Sequence, residues 1–365
     1  MPAIPNPIRV LIVDDSLMIR TTLSTMLMDV QGIEVVGQAS DGQEAVRMAL
    51  RLKPHVTLMD INMPKMDGLE ATRHIMSVHP TPIVVLSSSV HASDYNIAFN
   101  AIAAGALTVI EKPQGIGAPD YESVRKQLLT VVQLVAGVTM LGRPKSTSAD
   151  GQVGPMTALL QAMINRPIRV VAMGASTGGP PVIMNILRNL PNDFSIPIVI
   201  VQHIMPAFVP TMADWLNTKS NIPVYVGMEG DHLTPGKVYL APGNTHMTVQ
   251  SRGVLHLDNS EPIGGQRPSA TRLFQSVAEA FRADSVGILL TGMGEDGVDG
   301  LAVMSQAGAH VIAQDQASSS VFGMPKAAID RGIVDEILAP EQISQRLMKI
   351  HHHIKSLPGS QGNSP

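Results

Sequence analysis

Short apolar runs alternate with stretches of helical periodicity along the first third of the chain. The runs that we interpret as strands are 8–13, 56–59, 83–86 and 107–110. After the first run, apolar residues recur at the spacing of one helix face, in the series Ile19, Leu23, Met26 and Leu27. The alternation predicts an α/β fold, a doubly wound parallel sheet of five strands similar to the flavodoxin fold.

Polar side chains follow the ends of these runs. They are Asp14, Asp15, Asp60, Ser87 and Lys112. Because the carboxyl ends of parallel strands meet at one edge of a sheet, we expect all five side chains to lie together. Crowded carboxylates repel one another, so either a pKa rises or a hard cation such as Mg²⁺ binds between them. A single acid at a strand end is ordinarily solvated or a helix cap, but five polar residues in this order favour a functional pocket.

Residues 8 to about 125 resemble the receiver domain of two-component response regulators. The resemblance implies that Asp60 accepts a phosphoryl group from a sensor histidine kinase. It also implies that Mg²⁺ is bound by Asp15, Asp60 and the backbone carbonyl of Asn62, with Asp14 contributing to the acidic pocket.

The same resemblance implies that Ser87 and Lys112 sense the phosphoryl group, by a hydrogen bond and by charge. One position departs from the pattern. Val109 stands three residues before the lysine, where many receivers carry an aromatic switch residue. The aromatic-rotamer step of the usual signalling mechanism is therefore in question for this chain.

The periodic pattern loosens after the receiver. A helix is predicted over 122–139, and the polar, breaker-rich residues 142–151 predict a flexible tether. At 365 residues the chain is long enough for two domains. We divide it into a receiver domain, a linker, a second domain and a flexible tail, at 8–125, 126–166, 167–352 and 353–365.

The second domain begins with a β-branched run that stops at the sequence Gly-Ala-Ser-Thr-Gly-Gly, residues 174–179. A proline pair and a helical pattern follow, so we interpret the segment as strand, tight turn and helix, with Ser176 at the turn. Glycine permits close approach of a substrate, and the free N–H groups of a helix start face any negative charge that develops there. A phosphate-binding loop is the alternative, but the spacing is not G-x-G-x-x-G and lysine is absent.

Two further strand ends supply the partners that a serine nucleophile requires. His203 follows the apolar run 198–202, and Asp296 lies in the glycine-rich loop after the run 286–290. A serine needs a base within hydrogen-bond reach, and the base needs a carboxylate that fixes its tautomer. Because the carboxyl ends of parallel strands meet at one edge of a sheet, we expect Ser176, His203 and Asp296 to lie at one crevice.

Other residues of the same types compete for these roles. The other histidines of this domain fall in turns, strand interiors or the terminal helix, where a solvated or packed role is the ordinary one. They are His232, His246, His256, His310, His351, His352 and His353. Rival acids remain open at this point, and they are Glu295, Asp299 and Asp315.

The remaining pattern of the second domain predicts a mainly parallel, Rossmann-like α/β sheet. Helices are predicted over 207–215 and 269–282. Three short runs are interpreted as antiparallel strands that edge the main sheet, and they are 237–243, 247–250 and 254–257. The domain is therefore expected to carry an antiparallel hairpin edge.

Residues 168 to about 350 resemble the catalytic domain of the chemotaxis protein-glutamate methylesterases, the CheB family, and the whole chain has that family's receiver, linker and esterase order. Four sequence blocks carry the resemblance, and they are 174–179, 202–206, 239–247 and 290–297. It implies that Ser176 is the nucleophile, His203 the base and Asp296 the acid that orients the base. This order differs from the Ser, Asp, His order of α/β-hydrolases and argues against that fold.

The resemblance implies hydrolysis of glutamate γ-methyl esters, and deamidation of specific glutamines, on methyl-accepting chemoreceptors. Both reactions pass through an acyl-enzyme and release methanol or ammonia, with no cofactor in the esterase site. The backbone N–H groups of Thr177 and Met293 are the expected oxyanion hole, because they flank the turn and the glycine-rich loop. Gating follows if the unphosphorylated receiver covers the Ser176 crevice and phosphorylation of Asp60 weakens that interface.

Composition narrows the range of partners. Charged residues make up 15% of the chain and the formal net charge is −4, so nothing indicates a nucleic-acid-binding surface or a basic membrane anchor. No apolar run reaches the ~18 residues of a membrane span and no signal-peptide pattern is visible, which predicts a cytoplasmic protein without membrane insertion. The absence of cysteine excludes disulfides, thiol catalysis and cysteine-ligated metals.

Two other functions are compatible with these patterns. A non-catalytic output module would bind a signalling partner through the second domain and leave the crevice vestigial. A related esterase would keep the chemistry and act on a receptor system outside chemotaxis. The presence of Ser176, His203 and Asp296 together favours a working hydrolase over the first. Nothing in the motifs distinguishes the second, because substrate recognition lies on surface loops.

Overall fold

The computed structural model describes residues 5–28, 30–87, 100–102, 104–119, 121–137 and 167–356. The chain divides into two compact units, Met1–Thr147 and Ser148–Pro365, and each is described by itself. The predicted tether at 142–151 lies outside the described residues. No helix in these ranges is long and apolar enough to span a membrane.

The N-terminal unit contains a five-stranded parallel sheet, which confirms the predicted architecture. Its strands are β1 (Ile8–Val13), β2 (Ile33–Ala39), β3 (Val56–Asp60), β4 (Ile83–Ser87) and β5 (Thr108–Glu111), in the order β2-β1-β3-β4-β5. The four runs located from the sequence match their strands to within one residue. The fifth strand, β2, was not located because it lies at the sheet edge, where the exposed Glu34 and Gln38 interrupt its apolar run.

Helices cover the two faces of this sheet, and they are α1 (Leu17–Met28), α2 (Gly42–Leu52), α3 (Gly68–Val78) and α4 (Tyr121–Val135). Asp41 caps α2 by accepting a hydrogen bond from the backbone N–H of Glu44. The Glu44 carboxylate in turn accepts a hydrogen bond from the N–H of Ser40. The two reciprocal hydrogen bonds resemble a capping box and stabilise the first turn of α2.

Helix α4 belongs to the core of the receiver unit. Leu128, Val132 and Val135 are buried on one face of α4 and pack with the apolar residues of β1, β3 and β4. The predicted boundary at residue 125 falls inside this helix, so the packed unit extends further along the chain than the sequence indicated.

The C-terminal unit contains a seven-stranded sheet in which every pair of neighbours is parallel, in the order β14-β13-β12-β6-β7-β9-β8. Its strands are β6 (Val170–Ala175), β7 (Ile198–Gln202), β8 (Val224–Val226), β9 (Val238–Leu240), β12 (Ser285–Leu289), β13 (His310–Gln314) and β14 (Glu336–Leu338). The chain builds outward from β6 through β7 and later adds β12 on the other side of β6. The strand order therefore reverses at β6, where open α/β sheets form their ligand crevice.

The predicted antiparallel hairpin is present for two of the three runs, but it does not edge the main sheet, and the third run belongs to that sheet in parallel. The run at 237–243 forms β9, which is wholly buried and pairs in parallel with both β7 and β8. The strands β10 (His246–Gln250) and β11 (Val254–Asp258) form a separate two-stranded antiparallel sheet. Burial on both faces explains why β9 reads as a short apolar run without alternation.

The helices of this unit are α5 (Gly179–Arg188), α6 (Val209–Asn217), α7 (Ala270–Phe281), α8 (Val298–Gln306), α9 (Met324–Asp330) and α10 (Pro340–Ser356). The predicted helix at 269–282 is confirmed as α7, with the Ser269 side chain capping its first turn. The helix predicted over 207–215 is displaced by two residues, because Pro206–Phe208 form a short 3₁₀ turn first. Helix α10 includes residues 353–356 of the predicted tail, and the rest of that tail lies outside the described residues.

A buried ion cluster joins β13, β14 and α10. The Nε2 atom of His310 lies 2.6 Å from the Glu336 carboxylate, and its Nδ1 atom lies 3.3 Å from the Asp335 carboxylate. Arg346 forms a second ion pair with Glu336. Burial opposes charging of His310, but the two carboxylates outweigh it and raise the pKa of the imidazole.

We expect His310→Gln to destabilise the C-terminal unit by about 3 kcal/mol near pH 6, because a buried ion pair is broken from one side. A raised folded-state pKa means that the stabilisation is complete below the ordinary histidine pKa of about 6.5 and is lost as pH rises through the folded value. The difference between variant and wild type should therefore shrink toward pH 9. Urea unfolding followed by the fluorescence of Trp215, the single tryptophan, measures it.

His256→Gln is the matched control, because His256 pairs with Glu229 at an exposed position. Surface pairs contribute little, so this variant should differ from wild type by less than about 1 kcal/mol. A His310→Gln deficit that stays constant from pH 6 to pH 9 would contradict the role of the charged imidazole.

Candidate functional site

The acidic pocket of the N-terminal unit lies at the carboxyl ends of β1 and β3. Carboxylate oxygens of Asp14, Asp15 and Asp60 all lie within 4.8 Å of one another. Asp14 and Asp60 are buried and Asp15 is exposed. The donor set is three oxygens of hard, anionic character, which fits a hard divalent cation.

Lys112 balances part of this charge. Its Nζ lies 2.8 Å from Asp14 Oδ2 and 2.7 Å from Asp60 Oδ1. Burial disfavours the charged amine, but the carboxylates of Asp60 and Asp14 outweigh it and raise the pKa of Lys112. One cation therefore serves two buried carboxylates, and the pocket keeps an excess of negative charge.

Asp60 has one carboxylate oxygen without a hydrogen-bond partner in the part of the chain that the structure describes. Its Oδ1 accepts a hydrogen bond from the N–H of Ile61, while its Oδ2 is buried without a hydrogen-bond partner among the described residues. Burial raises the pKa of Asp60 to about 6, against the opposing effect of Lys112. An unpaired buried carboxylate oxygen of this kind is suited to binding a cation or accepting a phosphoryl group.

Ser87 and Asn62 lie at the edges of the same pocket. The Ser87 hydroxyl, at the end of β4, is buried and has no hydrogen-bond partner within the described ranges, and the Ser87 carbonyl accepts from the N–H of Lys112. Asn62 is exposed, and its N–H lies 3.4 Å from Asp60 Oδ1. Val109 is buried in β5. The structure thus brings the predicted receiver residues to one end of the sheet.

In the C-terminal unit, Ser176 occupies the turn between β6 and α5. Gly178 adopts a left-handed conformation with φ of 78° directly before the helix, which a side chain would disfavour. The N–H of Ser176 donates to the carbonyl of Thr291, and its own carbonyl accepts from the N–H of Gly179. A Cβ atom at Gly292 would lie 2.7 Å from the Ser176 Cβ, so glycine is required where the two loops meet.

His203 comes directly after β7, the strand next to β6, and so lies beside Ser176 at the same end of the sheet. Ala175 and Gln202, the last residues of β6 and β7, are partners in the sheet, so Ser176 and His203 leave adjacent strand ends. The N–H of His203 donates to the Ala175 carbonyl. The His203 Nε2 atom lies 2.8 Å from Asp296 Oδ2, and both side chains are largely buried.

Asp296 is held by the N-terminus of α7. Its carboxylate accepts hydrogen bonds from the Ser269 hydroxyl at 2.6 Å and from the N–H groups of Ala270 at 2.7 Å and Thr271 at 3.1 Å. Burial opposes ionisation, but His203 and the Ser269 and Ala270 donors outweigh it and lower the pKa of Asp296 to about 2. The carboxylate is therefore ionised and fixed in orientation at neutral pH.

This arrangement assigns the two imidazole nitrogens. Asp296 engages Nε2 of His203, which leaves Nδ1 as the nitrogen that can act as a base toward Ser176. Within the described residues, no hydrogen bond joins the Ser176 hydroxyl to His203. Such bonds are commonly long in the absence of substrate and tighten when it binds.

Among the described residues, the backbone N–H groups of Thr177 and Met293 have no acceptor at the Ser176 turn and the facing loop, and the same holds for Gly178 and Gly294. The residues before Thr177 and Met293 are hydrogen-bonded, because the N–H of Ser176 donates to the Thr291 carbonyl and that of Gly292 donates to the Val321 carbonyl. Free donors at this position can stabilise an oxyanion that forms next to Ser176.

The rival residues have other partners. His246 accepts a hydrogen bond from the N–H of Ser269. Five other rival residues form side-chain contacts with residues other than Ser176. These contacts are His256 with Glu229, His310 with Glu336, His351 with Ser195, Asp299 with Arg331 and Asp315 with Ser318. Glu295 is exposed. Asp296 is the acid that the structure brings to His203.

The sequence did not reveal the supports of these side chains. Ser269 was placed at a helix start, where a serine ordinarily caps its own helix, but its hydroxyl also reaches Asp296. Thr291 is fully buried, and its hydroxyl donates to the Thr177 carbonyl and accepts from the N–H of Val321. Both contacts join segments that are far apart in sequence, so they cannot be predicted from a local sequence pattern.

Comparison with known proteins gives consistent matches. The family model "CheB methylesterase" matches residues 171–347, and "Response regulator receiver domain" matches residues 10–118. A relative from Geobacter metallireducens, named protein-glutamate methylesterase/protein-glutamine glutaminase 4, is 44% identical over 345 residues, which cover 94% of this chain and 99% of the relative. A relative from Syntrophus aciditrophicus, the enzyme of the same name numbered 1, is 42% identical and covers 94% of this chain and 98% of its own length.

Among solved structures, the CheB methylesterase catalytic domain of Thermotoga maritima is 36% identical where it aligns. The alignment covers 50% of this chain and 98% of that structure, with a TM-score of 0.49.

We expect Asp296→Asn to slow acyl transfer to Ser176 by roughly 10³- to 10⁴-fold, as removal of the orienting acid does in serine hydrolases. The amide has the shape of the carboxylate but presents an NH₂ group to donors and no longer fixes His203. The burst and steady-state release of p-nitrophenol from p-nitrophenyl acetate measure the rate without requiring a specific substrate.

Asp299→Asn is the matched control, because Asp299 is an exposed acid three residues away that pairs with Arg331. It should hydrolyse the ester at close to the wild-type rate. Equal rates for wild type and Asp296→Asn would show that Asp296 does not take part in the reaction.

Proposed function

The chain belongs to the CheB methylesterase family and carries an N-terminal response regulator receiver domain, and from this we propose that it is a phosphorylation-regulated serine hydrolase. Its substrates are glutamate γ-methyl esters on methyl-accepting chemoreceptors and specific glutamines on the same proteins. The observation that carries the proposal is the His203–Asp296 pair, anchored on the start of α7 beside the Ser176 turn. We assign the catalytic domain to residues 167–352, within the C-terminal unit.

Acylation uses the chain's own groups. His203 takes the proton of the Ser176 hydroxyl as the oxygen attacks the ester carbonyl, and Asp296 stabilises the imidazolium that forms. The N–H groups of Thr177 and Met293 stabilise the oxyanion of the tetrahedral intermediate. His203 then returns the proton to the leaving oxygen, so methanol departs and the glutamyl acyl group stays on Ser176.

Deacylation repeats these steps with water in place of the serine. His203 takes a proton from water, the hydroxide attacks the acyl-enzyme, and the proton passes to the Ser176 oxygen as the glutamate product leaves. A glutamine side chain enters the same sequence with ammonia as the first leaving group. No step requires a cofactor in this site.

Regulation begins in the receiver, where Asp60 accepts a phosphoryl group from a sensor histidine kinase. Asp15, Asp60 and the Asn62 carbonyl would hold Mg²⁺, with Asp14 adding to the charge of the pocket. The ion would neutralise charge on the phosphoryl oxygens. The unpaired Asp60 Oδ2 and the crowded carboxylates support this assignment.

Lys112 and Ser87 are positioned to respond to the phosphoryl group. Lys112 now contacts the carboxylates of Asp14 and Asp60, and a phosphoryl group on Asp60 offers it a stronger anionic partner. The unpaired Ser87 hydroxyl would donate to the same group. We propose that the unphosphorylated receiver covers the Ser176 crevice and that phosphorylation shifts the population toward an uncovered form. The expected setting is the cytoplasm.

The test is methanol release from receptor membranes that carry labelled glutamyl methyl esters, with and without acetyl phosphate and Mg²⁺. We expect the phosphodonor to raise the rate by ~10-fold, within the usual range of coupling between two sites. Ser176→Ala should abolish release. Asp60→Ala should keep the basal rate and lose the stimulation.

Two control variants accompany these. Asp67→Ala removes an exposed acid that caps α3, and Ser344→Ala removes a buried hydroxyl between α5 and α10. Both should respond to the phosphodonor like wild type. Release that ignores the phosphodonor would overturn the gating. A Ser176-dependent esterase that leaves every chemoreceptor methylated would overturn the substrate class.

A further inference from the structure

A buried glutamine joins the main chains of the proposed nucleophile and base. We propose that Gln202 is a positioning residue, whose side-chain NH₂ group holds Ser176 and His203 at the separation that proton transfer between them requires. The inference rests on the proposed roles of Ser176 and His203.

The contacts of Gln202 span the gap where the sheet ends. Gln202 is the last residue of β7 and is 5% exposed. Its Nε2 donates one hydrogen bond to the Ser176 carbonyl at 2.8 Å and another to the His203 carbonyl at 3.0 Å. The last main-chain hydrogen bond between β6 and β7 runs from the His203 N–H to the Ala175 carbonyl, and beyond it the two chains lead into α5 and α6. One side chain therefore takes over from the ladder at the level of the two reacting residues.

The orientation of the amide is dictated by its surroundings. Its Oε1 is buried without a hydrogen-bond partner among the described residues and faces the α-carbon of Gly179, where any side chain would overlap with it. Rotation of the amide by half a turn would place Oε1 against the two carbonyl oxygens, so three acceptors would meet without a proton. The NH₂ group must face Ser176 and His203.

The Oε1 of Gln202, which is unpaired in the described part of the chain, is energetically unfavourable, which indicates that the side chain is required for its two N–H donors. A buried acceptor without a partner is unfavourable, and an apolar side chain of similar size would fill the space without that penalty. The two donors are what an apolar residue cannot supply. Because Ser176 and His203 each follow a separate strand, a donor shared by their carbonyls limits the relative movement of the two turns.

Small errors in this separation have large effects on rate. Proton transfer requires the two heavy atoms within hydrogen-bond reach, and a displacement of about 1 Å can slow a reaction ~100-fold. We therefore expect Gln202→Leu, which removes both donors, to lower kcat for methanol release by ~10- to 100-fold. KM should stay within about two-fold, because Gln202 is 5% exposed and its amide bonds to main-chain carbonyls, so it offers little surface to a substrate.

Gln202→Glu supplies a readout that a merely structural role would not move. Ionised, the carboxylate opposes two carbonyl oxygens, whereas the protonated acid donates to one of them. The ratio of the Gln202→Glu rate to the wild-type rate should therefore rise as pH falls from 8 to 5, while the Gln202→Leu ratio stays flat. Hydrolysis of p-nitrophenyl acetate by the full-length protein follows both ratios.

Ser344→Ala controls for lost stability, because it removes a buried hydroxyl bonded to the carbonyls of Ile186 and Pro340, away from the crevice. It should unfold earlier in urea, as reported by Trp215, and keep the wild-type kcat. Wild-type kcat in both Gln202 variants, or a loss of kcat in Ser344→Ala equal to theirs, would overturn the proposal.

The same data separate this inference from the proposed function. Failure of wild-type protein to release methanol, with Ser176-dependent hydrolysis of p-nitrophenyl acetate intact, would refute the substrate class and leave the Gln202 comparison decisive. Wild-type protein without Ser176-dependent activity on either ester would overturn both.

Discussion

The hydrogen bonds between the Asp296 carboxylate and the start of α7 are the contact on which the C-terminal site depends. Three donors fix the carboxylate from one side, and His203 occupies the other. The pKa of Asp296 falls to about 2, so the acid carries its charge at any pH at which a neutral imidazole can act as a base. Parallel strands bring the partners to the same crevice, because β6, β7 and β12 end together where the strand order reverses.

The two units place carboxylates in opposite environments. Asp296 is buried with a full set of donors, whereas Asp60 is buried with one oxygen unpaired and a lysine shared with Asp14. The pKa of Asp60 accordingly rises to about 6, while that of Asp296 falls. A fixed, ionised acid suits the orientation of a base, and an incompletely paired acid suits a group that must bind a cation and accept phosphate. Environment, more than residue type, separates the two roles.

The sequence predicted the parts of the site that follow from strand ends. Ser176, His203 and Asp296 each come directly after a buried apolar run or in the loop behind it, so topology alone brings them together. The prediction was less successful for strands whose location or direction depends on the register of pairing or on a position at the sheet edge. Strand β2 was missed because an edge strand mixes exposed polar with apolar residues, and β9 was given the wrong direction because short buried runs carry no sign of their pairing. The contacts of Gln202 could not be foreseen, because they depend on strand alignment.

Acyl transfer through Ser176 is tested most directly with a p-nitrophenyl ester of a glutamyl peptide as the substrate. The reaction is quenched rapidly, and peptide mapping then locates the acyl group. An activated leaving group makes acylation faster than deacylation, so the intermediate accumulates during the burst. We predict one acyl group per protein chain, attached to the peptide that contains Ser176 and absent from Ser176→Ala. An adduct on another residue would contradict covalent catalysis at this turn, for example on Ser320, whose side chain lies against Gly178. A burst of p-nitrophenol without any adduct would contradict it as well.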